Sequence, residues 1–262
     1  MARWLGRVGS RFVGSGGRIA DQAGELTILA GRALRAAATP PWETSAWIVQ
    51  MEQIGVRSFA VAAITTIFTG MVLALQTALA LPGLGVKYYI GTVVSKSTVR
   101  ELVPVLVALI VGGRIGSGMT AEIGTMKVTE QVDALRAMAA DPVRKLVVPK
   151  LVAALVMLPV LTLVGDLLGI LGGLLIAVLQ LKLTASFYLN DVLTSLTLQD
   201  LASGVGKSVF FAFFITIVAC YNGLTARGGA DGVGRATTDT VVLASILILV
   251  ADFFLTKLFY VL

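Results

Sequence analysis

Residues 112–142, with the sequence GGRIGSGMTAEIGTMKVTEQVDALRAMAADP, form a long polar segment between two strongly apolar parts of the chain. The charged residues in it are Arg114, Glu122, Lys127, Glu130, Asp133, Arg136 and Asp141. Its composition favours a helix, on which Lys127 can pair with Glu130 and Asp133 with Arg136 one turn away. This polar segment is therefore predicted to be a short exposed helix outside the membrane that connects two membrane-spanning helices.

The composition of the whole chain is that of an integral membrane protein. Of its 262 residues, 56% are hydrophobic and only 14% are charged, which sets it apart from ordinary soluble proteins. The apolar runs are continuous rather than alternating, so helices are predicted and a barrel is excluded. The net charge of +6 comes mostly from arginines near the ends of spans. This distribution indicates membrane topology and anionic lipid, not nucleic-acid binding.

Cysteine and histidine usage narrows the chemistry further. The chain has one cysteine, Cys220, and no histidine. A disulfide framework and a histidine metal site are therefore excluded within one chain, and no metal site is predicted.

Five apolar stretches are long enough to cross a bilayer, for which roughly 20 residues suffice. They are predicted at about residues 56–81, 97–118, 148–181, 203–223 and 239–261. The coupling segment between the second and third spans is placed at residues 119–142, and residues 182–202 are predicted to be a polar connection. Four glycines in the third span predict the close approach of another helix; they are Gly165, Gly169, Gly172 and Gly173.

Residues 1–41 are predicted to form a basic amphipathic helix that lies on the membrane surface, and residues 42–262 one membrane domain. Apolar residues stand at helical spacing beside its arginines, which are Arg3, Arg7, Arg11, Arg18, Arg32 and Arg35. A cleaved signal peptide is the alternative, but the arginines continue too far and no compact apolar core follows them.

The distribution of basic residues also predicts orientation. The N-terminal segment, the polar segment and the connection between the fourth and fifth spans carry more Lys and Arg than the opposite connections. By the positive-inside rule the N-terminus and the polar segment are cytoplasmic, and the C-terminus faces outward.

With this topology, four charged residues converge in the outer half of the membrane: Arg100, Glu101, Lys207 and Asp252. Charges at that depth are costly unless they pair or line a wet cavity, so these residues are candidates for a substrate site. The alternative is a set of structural ion pairs that hold helices together. Asp166, beside the glycines of the third span, is expected to make an interhelical hydrogen bond.

The stretch SGVGKS at residues 203–208 is similar to the end of a phosphate-binding loop. The complete pattern requires a preceding strand and a glycine at the position of Leu201, and here an apolar membrane helix follows. No nucleotide site and no catalytic constellation are predicted. Uphill transport would need an ion gradient or another subunit as its source of energy.

The sequence TAEIGTMKVTEQVDALRAMAADP at residues 120–142 resembles the signature of the MlaE/YrbE family. These proteins are permease subunits of ABC transporters that move lipids in partnership with MCE-domain proteins. The resemblance extends to GMVLALQ at residues 70–76, RELVPVLVALIVGGRIGS at 100–117, LPVLTLVGDLLGILGG at 158–173 and GRATTDTVV at 234–242. It covers the chain from about residue 40 onward.

The resemblance implies an all-α permease of the bacterial inner membrane, with an interfacial helix and five spans per subunit. It implies a homodimer that carries phospholipid, together with an MCE-domain protein and a small cytoplasmic regulatory subunit. Energy would come from a separate cytoplasmic ATPase dimer that binds ATP and magnesium. The chain itself is expected to hold no cofactor and not to be an enzyme.

The resemblance also implies two sets of functional residues. The coupling segment that docks into the ATPase contains Glu122, Thr129, Glu130, Gln131, Asp133 and Leu135. A lipid pocket at the dimer axis is lined by Leu73, Leu75, Gln76 and Leu79, with Arg100, Glu101, Lys207 and Asp252 nearby. An apolar wall for acyl chains and a cation for the phosphate are what a phospholipid requires.

Two other functions are consistent with the composition. An ion-coupled secondary transporter could use Asp166, Glu101 and Asp252 as proton or cation sites, and it would transport without a partner. Such carriers often contain inverted repeats, and no internal repeat is visible here. A purely structural membrane anchor leaves the polar segment and the charges in the outer half unexplained.

Overall fold

The chain folds into a bundle of long helices. A computed structural model describes residues 21–40, 42–80 and 89–261, and in these residues all regular structure is helical. Five helical segments are long and apolar enough to cross a membrane: Thr44–Leu79, Ile90–Val128, Val143–Leu179, Leu198–Thr225 and Gly229–Phe259. The prediction of an all-α integral membrane protein with five spans is confirmed. The end of the first span near residue 81 and the arginines at positions 3, 7, 11 and 18 lie outside the described residues.

The helices follow one another with short connections. Helix α1 covers residues 21–38. The first span consists of α2 (Thr44–Met51), a π turn (Glu52–Val56) and α3 (Arg57–Ala80). The second consists of α4 (Ile90–Ser97), a π turn (Thr98–Leu102) and α5 (Val103–Val128), after which comes the short α6 (Gln131–Ala137). A π turn (Val143–Val147) leads into α7 (Val148–Leu179), followed by α8 (Ala185–Ser195), α9 (Leu198–Thr225) and α10 (Gly229–Val261).

Helix α5 lies at the centre of the bundle and contacts α3, α7, α9 and α10. Its buried residues recur every four positions, at Val103, Val107, Val111, Ile115 and Met119. This spacing places them in one row along the helix, which packs between the side chains of neighbouring helices. The central position of α5 makes it the element that connects the two ends of the molecule.

Helices α3 and α7 touch through their backbones. A Cβ atom added at Gly70 would lie 1.9 Å from the carbonyl oxygen of Gly169, and one added at Gly172 would lie 2.3 Å from that of Ile67. Only glycine permits such an approach between helices in a membrane. The predicted close packing of the third span is confirmed.

The polar segment differs from the expectation in its first half. Helix α5 continues without a break to Val128, so the second span, Ile90–Val128, is about 58 Å long at 1.5 Å per residue. Within this helix Ile115, Met119 and Ile123 are buried in the bundle. The charged residues of the first half lie on the other faces of the same helix, and residues 129–140 with α6 form the separate polar piece.

The predicted charge pairs of the polar segment are partly correct. Arg136 donates to Asp133 at 2.9 Å, which confirms that pair. Lys127 also pairs with Asp133, at 2.8 Å, so the expected pair with Glu130 is wrong. Glu130 has a φ of 60° where the chain turns between α5 and α6, which takes it off the helical face that Lys127 occupies.

The connection at residues 182–202 contains structure that the sequence analysis missed. Helix α8 buries Tyr188 and Val192, and the Tyr188 hydroxyl donates to the Ile170 carbonyl at 3.2 Å. Helix α9 begins at Leu198, earlier than predicted. Thr197 and Asp200 bond reciprocally at its start, as in a capping box.

Helix α1 packs onto one end of the bundle with its apolar side. Leu29 and Ala33 are buried in a cluster with Ile123, Leu151 and Ile217. At the same end Arg32 pairs with Asp141 at 3.4 Å. The described part of the N-terminal segment is therefore amphipathic, and it lies beside the connection that follows α6.

Candidate functional site

Three helices bring Glu101, Lys207, Asp252 and Thr256 together, and we call these four residues the charge cluster. The Lys207 ammonium lies 2.6 Å from Glu101 Oε2 and 3.1 Å from Asp252 Oδ1. Glu101 is in the π turn before α5, Lys207 is in α9, and the other two are in α10. The predicted convergence of these charges is present in the structure.

Lys207 has no donor left for a ligand. Its side chain is fully buried, and its three N–H groups reach Glu101, the Thr256 hydroxyl at 2.7 Å and the Arg100 carbonyl at 3.0 Å. An ammonium group has three hydrogens, so these bonds use all of them. The geometry gives Lys207 the role of an ion-paired link between α5, α9 and α10.

Arg100 pairs with Asp200 of α9 and not with an acid of the charge cluster. Its Nε lies 3.5 Å from Asp200 Oδ1, and the Arg100 side chain is 35% exposed. Asp200 was not predicted as a site residue. The TLQD sequence that opens α9 is a recognisable capping pattern, and its aspartate turns out also to anchor the arginine.

A cavity of about 310 Å³ opens beside the charge cluster. Its lining consists of Lys96, Ser97, Arg100, Glu101, Ser203 and Thr256. The cations in this lining are Lys96 and Arg100, and Lys207 is not part of it. Of the predicted cations, Arg100 is therefore the one placed to meet a ligand.

The four predicted pocket residues of α3 lie apart from the charge cluster. Leu73 and Leu75 are half-buried and pack on a cluster with residues of α4, α7 and α8. Gln76 and Leu79 are exposed, Leu79 to 69%. Among the described residues, α3 packs mainly on α7, α5 and α4. Lys207 and Asp252 belong instead to α9 and α10.

Asp166 does not make the expected interhelical hydrogen bond. The side chain is buried in α7, and neither carboxylate oxygen has a hydrogen-bond partner among the described residues. The glycines near Asp166 bring the backbone of α3 close to α7, at Ile67 and Gly70. The backbone groups of α3 are bonded within their own helix, so they do not serve as partners for Asp166.

The exposed tip of the polar segment is held by one carboxylate. Asp133 accepts from Lys127 at the end of α5 and from Arg136 in α6. The hydrogen bond from the Lys127 ammonium holds the pKa of Asp133 below its usual value. Asp133 therefore stays ionised and fixes α6 to α5, so its two oxygens are engaged within the chain.

The remaining predicted coupling residues differ in exposure. Thr129, Glu130 and Gln131 are exposed, and Gln131 donates to the Thr129 hydroxyl at 3.1 Å. Leu135 is half-buried. Met138, directly after α6, is 70% exposed and was not among the predicted coupling residues.

Glu122 is bonded to the bundle through one carboxylate oxygen, although its side chain is 47% exposed. Its Oε2 lies 2.6 Å from the ammonium of Lys150, whose side chain is only 2% exposed. The same ammonium donates to Gln50 Oε1 at 3.3 Å. Glu122 thus connects α5 to α7, and it lies more than one helical turn before the exposed tip.

Two negative expectations concern nucleotide and metal. Residues 203–208, SGVGKS, lie inside α9 with Ser203 and Ser208 buried. A continuous helix does not offer the loop of free N–H groups that holds phosphates. Among the described residues, no group of three or more Cys, Asp and Glu side chains is arranged to hold a metal ion.

Comparisons with known proteins agree with this architecture. The family model described as Permease MlaE matches residues 47–258. A probable ABC transporter permease protein of Rickettsia bellii is 44% identical over 243 residues, 93% of this chain and 94% of that protein. The intermembrane phospholipid transport system permease protein MlaE of Haemophilus influenzae is 37% identical over 214 residues, 81% of this chain and 82% of that protein.

A plant protein is related as well. The Arabidopsis thaliana protein named TRIGALACTOSYLDIACYLGLYCEROL 1, chloroplastic, is 36% identical over 211 residues, which are 80% of this chain and 60% of that protein. The family match extends from α2 to α10 and includes the charge cluster and α6. The chain belongs to the MlaE permease family of ABC transporter membrane proteins.

Proposed function

We propose that this chain is the membrane subunit of an ABC transporter that moves glycerophospholipid between the inner membrane and an MCE-domain partner. It works as a homodimer, and a separate cytoplasmic ATPase supplies the energy. Family membership and the name of the Haemophilus influenzae relative, a phospholipid transport permease, support lipid as the substrate class. The observation that carries the proposal at this chain's own residues is the cavity beside the charge cluster.

In this proposal the cavity receives the phosphate of the lipid. Arg100 uses Nε toward Asp200, which leaves its terminal guanidinium nitrogens for an anion, and Lys96 lies in the same lining. Guanidinium binds phosphate oxygens through paired, charge-assisted hydrogen bonds. Lys207 offsets part of the negative charge of Glu101 and Asp252, which weakens the repulsion between these carboxylates and the headgroup.

The acyl chains require a second copy of the protein. Leu79 and Gln76 point away from the described part of their own bundle, and Phe68 and Val72 of α3 are also largely exposed. An apolar helix face of this kind suits either lipid or another subunit. We propose that two such faces meet in the homodimer and form the wall of the lipid site.

Helix α5 provides the mechanical link to the ATPase. It runs as one helix from the charge cluster at its beginning to α6 at its end, with Lys127 and Asp133 fixing the junction. A displacement of α6 by the ATPase would therefore move α5 and, with it, the π turn that carries Arg100 and Glu101. Binding of the headgroup would change with the state of the ATPase.

The partners can be identified directly. The tagged chain is purified in mild detergent from its native host, and the proteins and lipids that accompany it are identified by mass spectrometry. The proposal predicts an ATPase, an MCE-domain protein and bound phospholipid in fixed proportion. A chain that is recovered alone and without phospholipid would refute the proposed assembly.

The role of Arg100 has its own test. Arg100→Glu should weaken lipid transport in reconstituted liposomes at least about tenfold, because a repulsive charge replaces a hydrogen-bond donor. Dimer assembly should persist. Lys182→Glu, at an exposed lysine between α7 and α8, is the matched control and should transport normally. Equal flux in Arg100→Glu and the control would exclude the headgroup role.

A further inference from the structure

A second cavity lies between the π turn before α3 and the middle of α5. Its volume is about 270 Å³. Arg57, Arg114, Gln50, Gln53 and Glu122 supply its polar lining, and Ile54, Ile115 and Met119 its apolar lining. Among the described residues, this cavity shares no lining residue with the one beside the charge cluster, which lies at the beginning of α5.

The charges that face this second cavity are unbalanced. Arg114 donates to the Ser58 hydroxyl at 2.8 Å, and among the described residues neither Arg114 nor Arg57 has a carboxylate within 4.0 Å. The one acid in the lining, Glu122, is already paired with the buried Lys150. Two guanidinium groups therefore face a common space without a counter-charge.

Arg57 and Arg114 are both exposed residues. The helices that carry them are longer than the roughly 20 residues that a bilayer requires, so both charges can lie at the level of the lipid headgroups. Both arginines belong to segments that are long and apolar enough to span the membrane, Thr44–Leu79 and Ile90–Val128. Charged side chains in spans normally pair or mark the route of a substrate. Two like charges at one cavity, whose acid Glu122 is already paired with Lys150, create a positive potential that favours an anion.

We propose that this second cavity is a binding site for the phosphodiester headgroup of a membrane lipid. Arg57 and Arg114 would hold the phosphate oxygens, and the amide of Gln53 would donate an additional hydrogen bond. Gln50 accepts from Lys150 through its oxygen, which leaves its NH₂ group for the same anion. The apolar residues Ile54, Ile115 and Met119 favour a lipid over free phosphate, because they can cover the glycerol and the first methylenes of a lipid.

This site extends the proposed function, on which it rests, since it gives the substrate a second binding site along α5, beyond the one at its beginning. A lipid held there would lie beside Glu122 and about one and a half turns before Val128, the last residue of α5. The site is thus placed between the coupling segment and the charge cluster. The proposed contacts are to the phosphate, so the site should accept phospholipids with different headgroup substituents.

The test measures lipid binding to the purified, delipidated chain by native mass spectrometry. The probe is dioleoylphosphatidylglycerol, compared with dioleoylglycerol, which lacks the phosphate, and with inorganic phosphate as a competitor. The Arg57→Ala/Arg114→Ala variant should lose one bound phosphatidylglycerol per chain or bind it at least about tenfold more weakly. Dioleoylglycerol should not occupy the site, and Arg35→Ala, at an exposed arginine of α1 outside the cavity lining, should bind as the wild type does.

A second variant keeps the test independent of the arginines. Gly118 lines the cavity, and a Cβ atom there would meet nothing within 4 Å. Gly118→Leu should therefore fold and reduce phosphatidylglycerol binding by occupying the space. Unchanged stoichiometry and affinity in both variants would overturn the site.

The remaining outcomes separate this inference from the proposed function. If binding is lost only in Arg100→Glu, the second site is refuted and the proposed function stands. If the wild-type chain retains no phosphatidylglycerol, both are refuted. If inorganic phosphate binds at the arginines and phosphatidylglycerol does not, the site belongs to free phosphate and the lipid assignment is overturned.

Discussion

Replacement of Lys207 by methionine tests whether the charge cluster holds three helices together. Methionine keeps the length and the apolar stem of the lysine but removes its charge and its three donors. Glu101 and Asp252 would then face each other without a cation. The Arg100 carbonyl and the Thr256 hydroxyl would each lose a hydrogen bond.

The size of the effect follows from burial. Removing one partner of a buried ion pair costs about 3–5 kcal/mol, because the other charge is left uncompensated. Here the Glu101 side chain is 41% exposed and that of Asp252 is 22% exposed, so water can reach both carboxylates. Thr256 also continues to donate to Glu101 at 3.2 Å. We therefore expect the lower end of the range, about 3 kcal/mol, or roughly a hundredfold in the unfolding equilibrium.

The assay is equilibrium unfolding of the purified chain in mixed micelles with increasing dodecyl sulfate, followed by circular dichroism of the helices. Lys257→Met is the matched control, because Lys257 is exposed on the same helix as Asp252 and its loss should change stability by less than about 0.5 kcal/mol. The triple variant Lys207→Met/Glu101→Gln/Asp252→Asn should recover most of the loss, since no charge is left unpaired. Wild-type stability of Lys207→Met, or a triple variant as unstable as the single one, would refute the ion-paired cluster.

Three further predictions concern packing, coupling and the N-terminal helix. Gly70→Ala should prevent the close packing of α3 against the α7 backbone and destabilise the chain by several kcal/mol. In the same unfolding assay Gly234→Ala, whose added Cβ would meet nothing within 4 Å, should be neutral or slightly stabilising. Charge reversal of Glu130 and Asp133 to lysine should leave the spans folded but abolish co-purification of the ATPase, and full co-purification would exclude α6 as its docking site. Arg32→Glu breaks an exposed pair worth about 1 kcal/mol or less, so hydrogen exchange of residues 21–38 should accelerate a few-fold; unchanged exchange would show that the apolar contacts alone hold α1.

The number of spans and the helical class could be predicted because they follow from composition and the thickness of the membrane. Long uncharged helical runs of about 20 residues are stable in the apolar interior of a membrane, so each run predicts a span. The glycines of the third span were also informative, since in a membrane small residues mark helix contacts. The convergence of Glu101, Lys207 and Asp252 followed from topology and the cost of intramembrane charge.

What the sequence could not supply was the pairing of individual side chains. Lys207 and Arg100 are both cations near one end of the bundle. Only the structure shows that all three Lys207 donors are used within the protein, whereas the Arg100 side chain is partly exposed. Lys127 pairs with Asp133 and not with Glu130, because the chain turns at Glu130 and places that side chain on another face. Helix α8 was missed since its amphipathic pattern is too short to distinguish from a polar connection.

The central claim is that lipid moves through this chain and that ATP hydrolysis in a partner drives it. The most direct measurement reconstitutes the complex purified from the host into liposomes that contain a labelled phospholipid, and follows the transfer of label with ATP, with a non-hydrolysable analogue, and with a proton gradient in the absence of ATP. We predict transfer only with hydrolysable ATP. Transfer driven by the proton gradient, in liposomes that contain this chain alone, would contradict it and identify a secondary transporter.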